Sequence, residues 1–325
     1  MNLLTNFPNG VTSFGVPVVG GGAGPYHPYA QYWYVDANNF TGAASDGNDG
    51  LSPESPLVTM AQCFTNILSA SASGSVITFI GNVREQVTTP AGIFDVTIIG
   101  GSNSPRNADA FSGGTTADGG RMGASWLAPA SPTASTPLLK IQQQGWRCQN
   151  FLFGAAPAAT PSVDLFRDGG SGDDERDASH ASFYGMRFDS SPIGIRANGG
   201  PAFITIAGCL FARATTTAIA NTVGAGIGTN LNWNITGNRF FDNVNSIVLP
   251  GNQCAITGNV MGKFTTLSIS LAGGTGSNSV NGNYLSGGYD AGYEPATSDD
   301  WSGNFSMDTG AAGVGDNGIT IAAPS

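Results

Sequence analysis

A five-residue motif that restarts at regular intervals limits the folds available to this chain. Its copies end in Gly-Asn and occupy residues 234–238, 255–259, 279–283 and 300–304, so that their glycines lie 21, 24 and 21 residues apart. Earlier copies centre on Gly208, Gly185 and Asn150, at intervals of 29, 23 and 35 residues. A repeat of this length predicts a solenoid, in which each repeat packs mainly against its two neighbours.

Two apolar positions recur around these glycines and identify the kind of solenoid. Two residues before the glycine position stand Cys148, Phe183, Ile206, Ile235, Ile256, Val280 and Trp301. Three residues after it stand Phe153, Phe188, Phe211, Phe240, Met261, Leu285 and Ser306. Apolar residues alternate in short runs rather than at helical spacing, which indicates strands. Strands that restart every 20–30 residues or so and stack in register predict an all-β fold, a parallel β-helix.

A third column carries asparagine one residue after each of the last four glycines. Its members are Asn238, Asn259, Asn283 and Asn304. Stacked Asn side chains in parallel β arrays hydrogen-bond to one another along the stack. We therefore expect a structural ladder of amide groups at one bend of successive coils.

Charged residues are scarce, which restricts the partners that the chain can bind. They make up 10% of the 325 residues, against about 25% in an average globular domain. The formal net charge is −10, and the 12 basic residues form no cluster. Nucleic-acid binding needs a basic footprint and membrane-surface binding a basic amphipathic helix, so we expect neither partner. No apolar run approaches the roughly 20 residues that span a bilayer.

The four cysteines show no pattern typical of a disulfide framework or a metal site. Cys63, Cys148, Cys209 and Cys254 are widely spaced and lie in apolar surroundings, without CxxC or Cys/His spacing. We expect buried free thiols, no metal and no cofactor. Residues 1–9 lack the basic and apolar regions of a secretory signal, so we expect synthesis in a reducing cytoplasm.

Both ends of the chain differ in composition from the repeats between them. We divide the chain into an extended N-terminal attachment arm and hinge at 1–29, a parallel β-helix at 30–308, and a C-terminal tail at 309–325. Pro and Gly exclude regular structure from the arm, yet its apolar residues do not suit a solvated tail. We expect five of them to contact a partner: Phe7, Pro8, Val11, Phe14 and Val16. The alternative is that the arm folds back over the first coil, since the end coils of solenoids need covers.

Segments outside the repeats predict how the solenoid begins and ends. Residues 56–71 keep helical spacing of apolar side chains, which predicts a short helix that caps the N-terminal end. The Asp-rich loop at 46–53 departs from calcium-loop spacing, so we expect ordinary Asx turns there. Residues 102–125 and 164–180 have the composition of surface loops. Residues 318–321 predict a strand that closes the C-terminal end or exchanges between subunits.

A glycan-cleaving site would appear as acidic residues at matching positions of successive coils. Glycoside hydrolysis needs two carboxyl groups about 5–9.5 Å apart, and neighbouring coils stack about 4.8 Å apart. Asp189 and Asp242 approach this pattern, but the coil between them has no acid at that position. The two histidines, His27 and His180, offer one dyad at best, His180 with Asp177. We therefore expect no catalytic residue within one chain, and a site built between subunits stays open.

Aromatic residues cluster late in the chain, at Tyr284, Tyr289, Tyr293 and Trp301. Trp301 belongs to the first apolar column, which predicts that it lies in the core. Tyr289 and Tyr293 flank a Gly-containing turn, and amphipathic rings in such a place suit either a subunit interface or contact with a glycan.

Several motifs resemble those of right-handed, single-stranded parallel β-helix proteins of the pectate-lyase-like superfamily. They are the opening 34–36, the loop at 46–53 before a helix, and the Ile-Thr-Gly-Asn coils, and the resemblance covers about residues 30–308. The segment at 6–15 is similar to the N-terminus of β-helix proteins carried by tailed bacteriophages. That resemblance implies a tailspike, head fibre or capsid-decorating protein, frequently a homotrimer, and only some such proteins degrade glycans.

We interpret the chain as a virion structural protein, a capsid-decorating or head-fibre protein whose arm contacts other proteins of the capsid or tail. We expect a homotrimer on the virion surface, assembled in the host cytoplasm. The alternative is a tailspike or receptor-binding protein that binds or cleaves a host surface polysaccharide. A third interpretation, a secreted bacterial polysaccharide lyase, conflicts with the expected lack of a secretory signal.

Overall fold

The computed structural model describes residues 12–13, 16–17, 30–101, 123–154, 156, 160–168, 176–221, 230–285, 293–296, 298–306 and 320–321. Across these residues the chain winds through three sheets that run along one axis, and it returns to each sheet once per coil. The prediction of an all-β parallel β-helix is confirmed. No helix among the described residues is long and apolar enough to cross a membrane.

Sheet 1 lies before the glycine bend of each coil. Its strands are β3 (Tyr32–Asp36), β4 (Val76–Val83), β6 (Thr97–Gly100), β9 (Arg147–Gln149), β12 (Ser182–Tyr184), β15 (Thr205–Ala207), β19 (Asn234–Thr236), β23 (Ala255–Thr257) and β26 (Ser279–Asn281). Strand β4 also runs on into sheet 2.

Sheet 2 follows the glycine bend. Its parallel strands after the end of β4 are β7 (Ala124–Leu127), β10 (Leu152–Gly154), β13 (Arg187–Asp189), β16 (Leu210–Ala212), β20 (Arg239–Phe241), β24 (Val260–Met261), β27 (Tyr284–Leu285) and β29 (Asn304–Ser306). The strand β30 (Thr320–Ile321) pairs antiparallel with β29.

Sheet 3 completes each coil. Its strands are β5 (Val87–Thr88), β8 (Leu139–Ile141), β11 (Pro161–Phe166), β14 (Ile193–Asn198), β17 (Thr217–Asn221), β21 (Asn243–Val248), β25 (Phe264–Ser270) and β28 (Tyr293–Glu294). Two short pairs complete the described strands: antiparallel β1 (Thr12–Ser13) with β2 (Val16–Pro17), and parallel β18 (Asn230–Leu231) with β22 (Gly251–Asn252).

In-register pairing places like side chains above like along the axis. In sheet 1, Ile206 pairs with Ile235, and Ile235 pairs with Ile256. Every member of the first apolar column is buried, from Cys148 to Trp301. The second column is buried as well from Phe153 to Leu285. Both columns therefore face the core, and the register shifts only locally elsewhere, as between β21 and β25.

A stack of four phenylalanine rings forms part of the core behind sheet 2. The ring centroids of Phe153, Phe188, Phe211 and Phe240 lie 5.6, 4.7 and 5.0 Å apart in turn, with nearly parallel planes for the last three. Aromatic pairs of this kind contribute about 0.5–1.5 kcal/mol each beyond the burial of their area. The stack therefore joins four successive coils along the inner side of sheet 2.

The bend between sheets 1 and 2 explains why the repeat carries glycine. Gly185, Gly208, Gly237 and their successors in the repeat have φ between +59° and +64°, and Asn150 at the same place has φ +59°. Side chains disfavour this left-handed conformation, which Gly and, less readily, Asn adopt. An added Cβ at Gly237 would meet nothing within 4 Å, so the backbone angle and not a lack of space selects glycine there.

Elements outside the repeated strands lie at both ends of the described β-helix. The helix α1 (Met60–Ser69) starts at Thr59, whose hydroxyl accepts from the Gln62 N–H at 3.1 Å, and it buries Met60, Cys63, Phe64 and Ile67. The Phe64 ring packs edge-on against Trp146 at 5.4 Å, so the helix joins the same core as the coils. The predicted capping helix is confirmed with shorter bounds. At the other end β30 lies antiparallel along β29 of the same chain and covers the edge of sheet 2 there.

Candidate ligand-binding face on sheet 2

The outer surface of sheet 2 differs from that of sheet 1. Outward side chains of sheet 1 in the last coils are small and polar, such as Thr236, Thr257 and Asn281. Pairing along sheet 2 aligns instead one outward column that is largely apolar or basic: Leu152, Arg187, Leu210, Arg239, Val260, Tyr284 and Phe305. We call the part of this surface from Arg187 to Phe305 the sheet 2 face.

Aromatic rings are exposed at the C-terminal end of the sheet 2 face. Phe241 is 51% exposed and Tyr284 is 48% exposed. The Tyr284 ring stacks on Phe305, one coil further, with a centroid distance of 5.3 Å and an angle of 25°. Large aromatic groups bury most of their surface in an average domain, so exposed rings that stack along one face mark a surface for contact.

Other late aromatic residues lie in the core. Trp301 is buried, as its place in the apolar column predicts, and the Tyr293 ring packs edge-on against it at 6.2 Å. Tyr293 is therefore a core residue, and the prediction that it contacts a subunit or a glycan is wrong. Tyr289 lies outside the described residues.

A buried ion-pair network occupies the N-terminal end of the sheet 2 face. The Asp189 carboxylate accepts from Arg187 through Nε at 3.1 Å and through Nη2, and it accepts from Arg213 through Nε at 2.8 Å and Nη2 at 2.6 Å. Arg187 and Asp189 are only 2% and 5% exposed. A carboxylate held between two guanidinium groups stabilises the fold. Removing its charge would leave a buried guanidinium group without this compensation.

Arg239 differs from the other basic residues of this region. Its side chain is exposed and forms no ion pair or hydrogen bond among the residues that the structure describes. Its backbone N–H donates to the Cys209 carbonyl at 2.9 Å, so the residue is fixed in the sheet. Lys263 nearby pairs instead with Asp242 at 2.8 Å, in an exposed salt bridge. Arg239 is thus an exposed positive charge on a backbone that is held in sheet 2.

Two carboxylates outside the sheet 2 face accept hydrogen bonds from protein donors. Glu85 accepts from the Met60 and Ala61 N–H groups, both at 2.8 Å, at the start of α1. Partial burial raises the Glu85 pKa, and these two hydrogen bonds oppose the rise without cancelling it. On sheet 3, Asp164 accepts from Arg196 Nε at 2.8 Å. These groups hold the helix and the sheet in place.

The Asp-rich loop at 46–53 also uses its carboxylates within the protein. Asp46 accepts from the Val58 and Thr59 N–H groups at 3.0 and 2.9 Å. The Ser55 hydroxyl donates to Asp49 at 2.7 Å, and this hydrogen bond, followed by that from the Leu51 N–H, lowers the Asp49 pKa. Among the described residues, no group of three His, Cys, Asp or Glu side chains is placed to hold a metal.

The dyad of His180 with Asp177 is not formed. The His180 ring stacks on Phe203 with a centroid distance of 4.8 Å and nearly parallel planes. Asp177 Oδ1 accepts instead from the Ser179 N–H at 2.8 Å and from the Ser179 hydroxyl at 2.6 Å. The carboxylate therefore shapes its own turn, and the imidazole is part of a surface stack. His27 lies outside the described residues.

Comparisons with known proteins establish no family for the chain. No protein-family model matches it, and no curated protein matches it. Among solved structures it is similar to a GH136 lacto-N-biosidase from Eubacterium ramulus, with 11% identity, TM-score 0.47, and coverage of 78% of this chain and 56% of that one. This chain thus spans little more than half the length of that enzyme.

Two further solved structures show comparable likeness. One is PfbA, a surface adhesin of Streptococcus pneumoniae, with 13% identity, TM-score 0.44, and coverage of 78% of this chain and 62% of that one. The other is ORF18 of Geobacillus virus E2, with 12% identity, TM-score 0.36, and coverage of 84% and 60%. At this level the likenesses carry no argument about activity, and the chain's own strand pairing defines its fold.

The four asparagines of the repeat lie buried in one column at the bend into sheet 2. The backbone N–H of Asn238 donates to Asn259 Oδ1, that of Asn259 to Asn283 Oδ1, and that of Asn283 to Asn304 Oδ1, at 2.9, 2.9 and 3.1 Å. Each Nδ2 also donates to a carbonyl of the preceding coil at 2.8–2.9 Å. Amide groups thus satisfy the backbone of successive bends.

Sequence reasoning missed two related features. The Cys209 N–H donates to Asn238 Oδ1 at 2.8 Å and its thiol lies 3.5 Å from the Phe183 carbonyl, so this cysteine begins the column of amides. Burial raises the Cys209 pKa to about 12, which keeps the thiol protonated as a donor. A second column at the opposite end of the sheet 1 strands joins Cys254, Asn278 and Asp299.

Most residues of the arm lie outside the part of the chain that the structure describes. Phe7, Pro8, Val11 and Phe14 lie outside the described residues. Val16 belongs to β2 and pairs with Ser13, but nothing is described of its side chain. Their role in binding a partner stays a prediction, as do the boundaries of the arm and the tail.

Proposed function

We propose that the chain is a bacteriophage virion structural protein, a β-helical capsid-decorating or head-fibre protein attached by its arm at 1–29. The observation that most supports this is that many polar side chains of the coils hydrogen-bond or pair within the protein and so stabilise the fold. The Asn column, the Arg187–Asp189–Arg213 network and the carboxylates at α1 all stabilise a rigid, elongated body. Such a body suits a protein that projects from a particle, because a solenoid holds its two ends at a fixed separation.

The arm supplies the attachment in this proposal. Its apolar residues lie between prolines and glycines and, apart from the two-residue pairing of β1 with β2, suit a segment that docks on a partner in an extended form. Its similarity to phage β-helix proteins points to other virion proteins of the capsid or tail as that partner. A homotrimer on the virion surface, assembled in the host cytoplasm, is part of the same proposal.

Immunoelectron microscopy of purified particles tests this function. An antibody against the chain should label the head of intact particles at many points. Label confined to the tail tip would favour the tailspike alternative, and particles without label would contradict the virion proposal. A Phe14→Asp variant should be lost from particles, whereas Asn9→Asp, which adds the same charge at a polar arm position, should stay attached.

A second candidate function is a receptor-binding protein for a host surface glycan. The observation that favours it is the exposed aromatic column beside an unpaired arginine on the sheet 2 face. Purified protein should then compete with particles for adsorption to host cells. Adsorption that is unchanged at saturating protein would count against this candidate.

A further inference from the structure

We propose that the C-terminal part of the sheet 2 face, from Arg239 to Phe305, is a non-catalytic binding site for an acidic glycan. The proposal deepens the second candidate function and rests on its binding role. It requires no attachment to a capsid. The site consists of one guanidinium group and three rings: Arg239, Phe241, Tyr284 and Phe305.

The rings supply flat apolar surface at the spacing of the coils. Phe241 lies two residues after Arg239 on the same strand, and both therefore point outward. Tyr284 follows Arg239 in register by two coils, which places their backbones about 10 Å apart. Pyranose rings present faces of carbon-bound hydrogen that pack on aromatic rings, so sugar units of one chain fit a row of such rings along the axis.

The charge of the site selects an anionic ligand. Arg239 is exposed and unpaired among the described residues, while Arg187 and Arg213 are bound to Asp189 and Lys263 is bound to Asp242. A guanidinium group pairs with carboxylate or phosphate through two parallel hydrogen bonds. The net charge of the chain is −10, so the rest of the surface repels long polyanions. Binding therefore depends on the local charge of Arg239 and not on a general basic surface.

A second copy of this chain suits the face less well. Three copies packed around a common axis through this face would bring three Arg239 side chains together, and like charges in a desolvated contact oppose association. An acidic glycan neutralises the same charge and leaves the rings in contact. The unpaired arginine therefore distinguishes the two occupants.

Binding is measured by isothermal titration with hyaluronan oligosaccharides, oligosialic acid and a glycerol-phosphate teichoic acid, with neutral dextran oligosaccharides as the uncharged probe. The first two probes carry carboxylates and the third carries phosphates, so the comparison identifies the source of the charge. We expect binding of at least one acidic probe, weakened by salt, and no binding of dextran.

Matched variants locate the site. Arg239→Gln and Tyr284→Ser should each weaken binding at least tenfold. Arg84→Gln, an exposed arginine that follows the sheet 2 part of β4 at the N-terminal end of the β-helix, and Tyr184→Ser, an exposed tyrosine on sheet 1, should leave binding unchanged. Failure of all three acidic probes to bind, or equal binding by Arg239→Gln, overturns the proposal. So does a trimer in sedimentation that Tyr284→Ser dissociates, because the face would then be a subunit interface.

The glycan titration and the labelling of virions together distinguish this proposal from the proposed structural function. Labelled virions together with no glycan binding would retain the structural role and reject this site. Glycan binding together with unlabelled virions would retain the site and reject the virion role.

Discussion

Asn283 and Tyr284 are consecutive, yet the Asn283 side chain is fully buried and the Tyr284 side chain is 48% exposed. Asn283 holds its bend by donating to the Ile256 carbonyl and to Asn304 Oδ1, at 2.8 and 3.0 Å. The same step from buried amide to outward side chain occurs at 238–239, 259–260 and 304–305. The buried column therefore fixes the position of each outward residue on the sheet 2 face.

Replacing Asn259 with Ala should destabilise the protein by about 3 kcal/mol or more, because several buried backbone and side-chain groups lose partners, each at about 1–3 kcal/mol. The carboxamide accepts from Asn238 and donates to the Ile235 carbonyl and to Asn283. Chemical denaturation measures the loss. Asn281→Ala, on the outer side of sheet 1 just before the bend of the next coil, should change stability by less than about 0.5 kcal/mol. Equal losses would remove the special role of the column.

Gly237→Ala should cost about 1–2 kcal/mol, the ordinary cost of a left-handed residue with a Cβ. The added methyl group meets nothing within 4 Å, so the backbone conformation alone sets the loss. Gly237→Asn should cost less, because Asn150 already adopts this conformation at the same place. Thermal or denaturant unfolding ranks the two variants, and a larger loss for Asn would contradict the explanation.

Phe211→Ala should destabilise the protein by about 3–5 kcal/mol, because it leaves a cavity in the phenylalanine stack. Phe241→Ala, on the outer side of the neighbouring strand, should have little effect on unfolding, since the ring is half exposed. Comparison of the two unfolding midpoints separates the core from the proposed ligand face. Similar midpoints would show that the stack contributes no more than an exposed ring.

Asp189→Asn should destabilise by about 3–5 kcal/mol, the usual effect of leaving a buried charge without its partner. Arg187 would remain buried at 2% exposure after its carboxylate is neutralised. Asp242→Asn breaks the exposed pair with Lys263 and should cost no more than about 1 kcal/mol. Unfolding curves of both variants at neutral pH test the difference, which would vanish if the inner network were solvated.

Glu85 predicts a pH dependence opposite to that of most carboxylates. Burial raises its folded pKa above the ordinary value of 4.5, so the folded state holds this proton more tightly than the unfolded state. Glu85 therefore adds to the free energy of unfolding as the pH falls through the range just above 4.5. This contribution is lost as the pH rises through the folded-state pKa. The difference in unfolding free energy between wild type and Glu85→Gln, followed against pH, should show this slope. A slope of the other sign would contradict it.

Local spacing was enough to predict the fold and both apolar columns, because each coil repeats the same short pattern. The capping helix was equally accessible, since its apolar stripe lies within sixteen residues, 56–71. The Asp189 network was not predicted, because Arg213 reaches it from the next coil and from a bend rather than a strand. The column through Cys254 was not predicted, because its three members, Cys254, Asn278 and Asp299, are of different residue types and form no repeated pattern in the sequence.

Residue type alone also failed to separate core from surface. Phe240 and Phe241 are adjacent and identical, yet one lies in the stack and the other is 51% exposed. Alternation along a strand assigns them to opposite faces only once the register is known. Tyr293 was placed wrongly for the same reason, since its pairing with Ile269 in sheet 3 turns it inward.

The antiparallel strand β30 has a consequence for polymerisation. A stack of parallel coils ends in an unpaired strand edge, and such an edge can recruit further chains into a filament. Because β30 runs against β29, the last coil no longer offers a parallel edge of sheet 2 that another copy could extend. Extension of sheet 2 by a parallel strand of another copy would therefore first require β30 to leave β29.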